Sequence, residues 1–277
     1  MSPDPALAAG SAGLEARRLG LSSSPGRRPR LAGVDFAVRP GRVAALVGPN
    51  GSGKTSLIAC LAGLERPDTG RVSLDGRPLS SLGRARLARQ VAWAGALPFP
   101  DVGLTVRELV TLGRLAHRAN VWEDPARGSE ADVEAALAAM DLVHLDDAPL
   151  GTLSAGERQR ARLAAAWAQG ARYLLLDEPT AALDPGHARR VLELARAQAR
   201  SGAGVVLALH DLTAAAQYAD DLTLLAEGRV VASGDPWRVL EASVLERVYA
   251  TPLRVFAHPD TGRPVVLPGY PPAGAPT

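Results

Sequence analysis

Eight consecutive residues, Gly48-Pro49-Asn50-Gly51-Ser52-Gly53-Lys54-Thr55, match the pattern G-x-x-x-x-G-K-[ST]. Glycine lets the backbone of such a loop curl, so that several N–H groups point inward at phosphate oxygens. A helix beginning at the end of the loop adds the positive end of its dipole. In this arrangement Lys54 reaches the β- and γ-phosphates of ATP or a close relative, and the Thr55 hydroxyl ligates Mg2+. Lys54 is also the only lysine among 31 basic residues. A slender ammonium fits where a planar guanidinium is too wide. A mere glycine-rich turn before a helix would explain neither feature.

The run Tyr173-Leu174-Leu175-Leu176 ends in Asp177-Glu178. A buried strand has no structural need for two carboxylates, whose desolvation is costly unless a cation or hydrogen bonds compensate. Beside a phosphate loop, Asp177 is placed to hold the Mg2+ shell and Glu178 to orient or deprotonate an attacking water. A third segment, Leu153-Ser154-Ala155-Gly156-Glu157-Arg158-Gln159-Arg160, opens a helix. Ser154 as N-cap with Glu157 three residues on forms a capping box, which alone accounts for both residues. His210-Asp211 follows an apolar strand, and in isolation that pair reads as structural.

The octapeptide Leu153–Arg160 nevertheless resembles the signature L-S-G-G-Q/E-x-Q-R of ABC-transporter ATPases, with Ala155 in place of the first glycine. The phosphate loop, this segment, Leu-Leu-Leu-Asp-Glu-Pro-Thr, Ala182-Leu183-Asp184 and His210 occur in the order typical of that family. The resemblance spans roughly residues 14–250. It implies ATP sandwiched head to tail between two copies of the chain, with Mg2+. Each site would take Lys54 and Glu178 from one copy, and Ser154 and Gly156, within the segment Ser154-Ala155-Gly156-Glu157, from the other. Asp184 would match the loop that crosses the dimer interface, and His210 the histidine that touches the γ-phosphate. Two departures stand out. The glutamine that the family places after the strand Val91–Ala94 falls at Ala96, and the aromatic that stacks on adenine is replaced by Ser22-Ser23-Ser24. Arg27 or Arg28 could stack there instead.

These residues need elements to carry them. Alternating runs near Leu14–Arg18 and Gly33–Val38 suit edge strands. Arg42–Val47 reads as a strand, Ser56–Leu64 as a helix, and Arg71–Leu74 as a short strand between turns. Helical patterns then dominate at Leu82–Arg89, Thr105–Arg118 and Glu130–Leu142, the last capped by Ser129 with Asp132. Helices over Ala155–Gln169, Gly186–Arg200 and near Thr213–Tyr218 alternate with the apolar strands Tyr173–Leu176 and Val205–Leu209. Leu222–Leu225 and Arg229–Ala232 are joined by Glu227-Gly228. Continuous apolar strands between helices predict a parallel sheet covered on both faces. The expected fold is α/β: a P-loop NTPase of ABC ATPase type with a mostly parallel core sheet, an antiparallel β subdomain and a helical subdomain. The expected division is a disordered leader over 1–13, an ATPase domain over 14–250 with the helical subdomain at about 82–152, and a tail over 251–277.

Composition bounds the rest. The 277 residues are 47% hydrophobic and carry a net charge of +2, with basic and acidic residues interleaved. A nucleic-acid binder would more often show a basic stripe. One cysteine, Cys60, excludes an internal disulfide and a Cys-based zinc site, and its apolar surroundings predict a buried thiol. No apolar run is long enough to cross a bilayer, so any translocation pathway is another subunit. The segment Leu104–Arg114 resembles the ATPases of ferric-siderophore, haem and vitamin B12 importers, as does the stretch from Glu246-Arg247-Val248-Tyr249 to His258–Pro264. That resemblance implies the ATP-hydrolysing subunit of a bacterial importer of an iron chelate or haem, with cobalamin behind them. Its partners would be a second copy, a multi-span permease and, indirectly, a cargo-binding protein, at the cytoplasmic face of the inner membrane. A non-transport ABC protein, a small-molecule kinase and a non-enzymatic scaffold are the rival classes.

Overall fold

The computed structural model describes residues 12–23, 28–95, 103–117 and 130–269. The chain begins with β1 (Leu14–Leu21), β2 (Leu31–Val38) and β3 (Val43–Val47), and α1 (Lys54–Leu61) follows the glycine-rich loop. Next come β4 (Thr69–Leu74), β5 (Arg77–Pro78), α2 (Arg84–Ala88) and β6 (Val91–Ala94). Then α3 (Val106–Leu112) runs into a 3-10 turn over Gly113–His117, and α4 (Glu130–Ala139) precedes α5 (Ala155–Ala168). The second half alternates as β7 (Tyr173–Asp177), α6 (Pro185–Arg200), β8 (Gly204–Ala208), α7 (Leu212–Tyr218), β9 (Asp221–Ala226) and β10 (Arg229–Gly234). Two short helices, α8 (Pro236–Val239) and α9 (Ala242–Tyr249), lead to β11 (Leu253–Ala257) and β12 (Pro264–Pro268).

A six-stranded sheet of order β10-β9-β3-β8-β7-β6 forms the centre, parallel except for the β9–β10 hairpin. Its strands are apolar throughout because both faces are covered. Val43, Ala45 and Val47 of β3 join the core beneath α3 to α7, while Ala44 and Leu46 face a second core with α1 and the antiparallel sheet. Strands β7 and β8 divide in the same way, with Leu174, Leu176, Val205 and Leu207 against Tyr173, Leu175 and Val206. Sheet order in the antiparallel layer is β2-β1-β4-β5, and here the structure corrects an expectation: β1 is an inner strand, paired with both β2 and β4. Residues 12–13, expected within a loose leader, are described, and Gly13 exchanges hydrogen bonds with Asp75.

Helices α3, α4 and α5 pack together as a layer of their own. Thr105 caps α3 in a capping box with Glu108, and Arg107 ties that helix to Glu134 at 2.7 Å and Asp146 at 2.6 Å. The predicted cap at Ser129 lies outside the described residues, as do Ser24, Arg27 and Ala96. The tail is less loose than its proline content suggests. Strands β11 and β12 form an antiparallel hairpin whose Val266 donates to and accepts from the Thr213 hydroxyl of α7. Arg263 donates to the carbonyls of Gln217 and Ala219, closing the C-terminal end of that helix.

Leu137 of α4 is fully buried among these helices. We expect Leu137→Ala to destabilise the chain by about 2–5 kcal/mol, through the cavity it leaves, measured as a lowered chemical-denaturation midpoint.

Candidate functional site

Strands β3, β8 and β7 are neighbours and parallel, so their carboxyl ends open on one side of the sheet. That edge is where open α/β sheets collect ligands. Here it collects the loop 48–53, the pair Asp177-Glu178 and His210. The loop has a shape that only glycine permits at its ends. Gly48 has φ 145° and Gly53 φ 107°. A Cβ would stand 2.0 Å from the Leu225 carbonyl oxygen at the first and 2.6 Å from that of Arg30 at the second. No side chain caps α1, so the amides of its first turn are left facing the loop.

Lys54 is buried, and its Nζ donates to the carbonyls of Gly48 at 2.7 Å and Pro49 at 3.2 Å. Burial pushes its pKa below the ordinary value, while the Glu178 and Asp177 carboxylates act in the opposite direction. Asp177 is buried too, and burial pushes its carboxyl above the usual range against the opposing pull of the Thr55 hydroxyl. Its Oδ1 has no hydrogen-bond partner among the described residues, nor does the buried Ser52 hydroxyl. An orphaned carboxylate oxygen next to a hydroxyl is a donor set of the kind Mg2+ takes, so Asp177 and Thr55 fit that ion.

Glu178 occupies the left-handed region at φ 52°, which is strained for a side chain of this size. Its backbone is held there by the Ala181 amide, which donates to the Glu178 carbonyl at 3.1 Å, and by two longer-range bonds. Its N–H donates to the Ala208 carbonyl at 3.1 Å, and its own carbonyl accepts from Gln159 Nε2 at 3.1 Å. The conformation turns the carboxylate to His210, with Oε1 2.7 Å from Nε2. Both side chains are half-exposed at the mouth of a cleft of about 180 Å³, lined by residues 50–56, Arg30, Glu178 and His210.

Ser154, Ala155, Gly156 and Glu157 do not line this cleft. Ser154 and Glu157 form the predicted capping box, with Ser154 N–H donating to Glu157 Oε2 at 2.7 Å and Glu157 N–H to Ser154 Oγ at 3.3 Å. The Ser154 hydroxyl and amide hold the Glu157 carboxyl below the usual range. Asp184 is likewise outside the cleft and caps α6, accepting from the His187 amide at 3.0 Å. That bond and the His187 ring draw its pKa down to about 2. The candidate residues therefore fall into two groups: a set lining the cleft at the sheet edge, and a helix-capping set at the N-termini of α5 and α6.

Sequence reasoning missed Arg30, Gln159 and His187. Arg30 walls the cleft, its guanidinium fixed by Glu65 at 3.0 Å and by the Ser22 carbonyl at 3.2 Å. Arg28 instead pairs with Glu227.

The raised pKa of Asp177 carries a stability consequence. A carboxyl whose folded pKa exceeds its unfolded one penalises the fold at pH values above the unfolded pKa. At neutral pH we expect Asp177→Asn to raise the unfolding midpoint of the ligand-free chain, checked by calorimetry.

Comparison with known proteins identifies the family. A family model described as ABC transporter matches residues 31–181. The hemin import ATP-binding protein HmuV of Nocardia farcinica (strain IFM 10152) is 46% identical over 258 residues, covering 92% of this chain and 87% of the relative. Its namesake from Streptomyces coelicolor (strain ATCC BAA-471 / A3(2) / M145) is 44% identical, covering 90% and 88%. Among solved structures, an ATP-binding subunit of an ABC transporter superposes with a TM-score of 0.73 at 27% identity, covering 86% of this chain and 98% of that one. An inward-facing transporter described as metal-chelate type gives 0.79 at 24% identity, covering 94% and 98%, which bears on the fold alone. A phosphate loop, an acidic strand end and a capped signature helix on this scaffold belong together: the chain is a member of the ABC transporter family, as a nucleotide-binding ATPase cassette.

Proposed function

We propose that this chain is the ATP-hydrolysing subunit of a bacterial importer that takes up haem or an iron chelate through a separate permease. The observation that carries the catalytic half is the Glu178–His210 contact of 2.7 Å at the mouth of the Lys54 cleft. Residues 48–55, Lys54 among them, would hold the phosphates of ATP, and Thr55 with Asp177 would hold Mg2+. That ion, when bound, screens the charge that builds on the transferring phosphoryl group. Glu178 takes a proton from water as its oxygen attacks the γ-phosphorus and the bond to ADP breaks. His210 orients Glu178 and meets the γ-phosphate.

The helix-capping group completes the site from a second copy. Ser154, Ala155, Gly156 and Glu157 are exposed or half-buried at the start of α5, available to another molecule. The N-terminus of that helix would face the partner's γ-phosphate, with Asp184 alongside. Residues 14–250 are the proposed ATPase domain, with the helical part at about 82–152 and the tail from 251.

Support for the cargo comes from relatives named hemin import ATP-binding proteins, at 39–46% identity. No helix among the described residues is long and apolar enough to cross a membrane. The permease is therefore a separate chain, and this subunit sits on it at the cytoplasmic face of the membrane, with a cargo-binding protein upstream. Cobalamin is the second reading. Proteoliposomes that enclose this subunit and ATP and carry its permease should accumulate haem. Uptake of cobalamin in its place would overturn the cargo assignment.

Two variants test the catalytic assignment. Glu178→Gln should slow phosphate release by about 10²–10⁴-fold, while ATP still binds and drives dimer formation in light scattering. Ser154→Ala should impair hydrolysis yet leave ATP binding by the monomer close to normal. If monomer binding fell as far as it does in Lys54→Ala, the site would not be split between copies.

A further inference from the structure

The loop 178–184 carries Glu178 at one end and Asp184 at the other, and successive residues of α5 grip both ends. Gln159 Nε2 donates to the Glu178 carbonyl at 3.1 Å. Arg160 is buried, and its Nη1 stands 3.0 Å from His187 Nε2, while His187 Nδ1 stands 2.6 Å from Asp184 Oδ2. Nδ1 faces Asp184, while Nε2 faces the Arg160 guanidinium and lies 3.6 Å from Asp141 Oδ2. Whichever ring nitrogen carries the proton, the imidazole bridges Asp184 to Arg160 and Asp141.

Arg160 is itself held in place. The same Nη1 lies 3.1 Å from the Asp141 carbonyl and 3.2 Å from the Met140 carbonyl and from Asp141 Oδ2, so its two hydrogens are shared among these acceptors and the His187 ring. Toward the Asp184 end of the loop, Gly156 allows close approach, since a Cβ there would lie 3.0 Å from the Ala182 carbonyl oxygen. Capping of α6 does not require the ring contact, because Asp184 Oδ1 already accepts from the His187 amide at 3.0 Å. The Nδ1 bond to the second carboxylate oxygen is additional, and it sets the direction of the Asp184 side chain.

We infer that His187 is a positioning residue that locks Asp184 to the signature helix α5, so that the start of α5 and the loop 178–184 move as one body. The inference rests on the split-site reading above. In that reading Ser154 serves the nucleotide held by the partner, whereas Glu178 serves the chain's own nucleotide. One rigid unit then presents a residue to each of the two sites, and engagement at one orients the carboxylate at the other.

The test uses the Glu178→Gln chain and asks how much ATP is needed for half-maximal dimerisation in light scattering. His187→Ala removes both ring bonds. His187→Asn keeps a donor near the Nδ1 position but does not reach Arg160. Both should raise the ATP requirement by about tenfold, within the range of coupling between neighbouring side chains. ATP affinity of the monomer and the unfolding midpoint should change little. Dimerisation of His187→Asn at the parent's ATP concentration would overturn the bridge, as would an equal loss of monomer ATP affinity in both variants. A Glu178→Gln chain that stays monomeric at saturating ATP would overturn the split site itself, and this inference with it.

Discussion

Burial of charge at the carboxyl edge of the sheet is the constraint on which the rest of this structure depends. Lys54 and Asp177 both lie under the surface, each with its pKa displaced toward the neutral form. Neither arrangement favours the fold by itself, because desolvated charge is costly. Only a rigid frame tolerates it. The frame is a parallel sheet with two cores, one beneath the helices and one beneath the antiparallel layer, and both run up to the strand ends that carry the charged groups. A polyanionic ligand with its cation relieves both costs together, since phosphate suits the ammonium and the cation suits the carboxylate.

The same edge stores backbone strain. Gly48 and Gly53 adopt conformations that side chains avoid, and Glu178 adopts one without being glycine. At Glu178 the strain is held by bonds from two directions, the Ala208 carbonyl on the neighbouring strand and the Gln159 amide on α5. The Glu178 carboxylate is therefore aimed by elements on both sides of it. A small change in the relation of α5 to the sheet would swing it, which is why the contacts of α5 matter as much as those of the strand.

The phosphate loop and the acidic strand end were legible in the sequence because each sets residue types against their surroundings. A lone lysine among arginines and two carboxylates after an apolar run have few structural explanations. Arg30 and His187 were not legible, since neither sits in an unusual local pattern, and Gln159, though inside the signature octapeptide, owes its contact to a carbonyl 19 residues away. The inner position of β1 was hidden for a related reason: alternation reports one buried face and says nothing about how many strands lie alongside. Nor did periodicity locate the start of α1, which begins at Lys54 rather than Ser56, because Gly53 caps it without a side chain. The β11–β12 hairpin was masked by prolines, which stand at both ends of β12 where a missing amide is tolerated.

The order of strands in the sheet has a consequence for synthesis of the chain. Val43 pairs with Val205 and Ala44 with Asp221, so the strand that launches the phosphate loop has no lateral partner until most of the polypeptide has been made. The hairpin that secures α7, beside His210, comes later still, with Arg263 and Val266. Such non-local closure folds slowly and leaves apolar strand edges open in the interval. The nucleotide cradle is thus among the last features to become rigid, and a nascent chain stalled before β8 holds its P-loop on an unpaired strand.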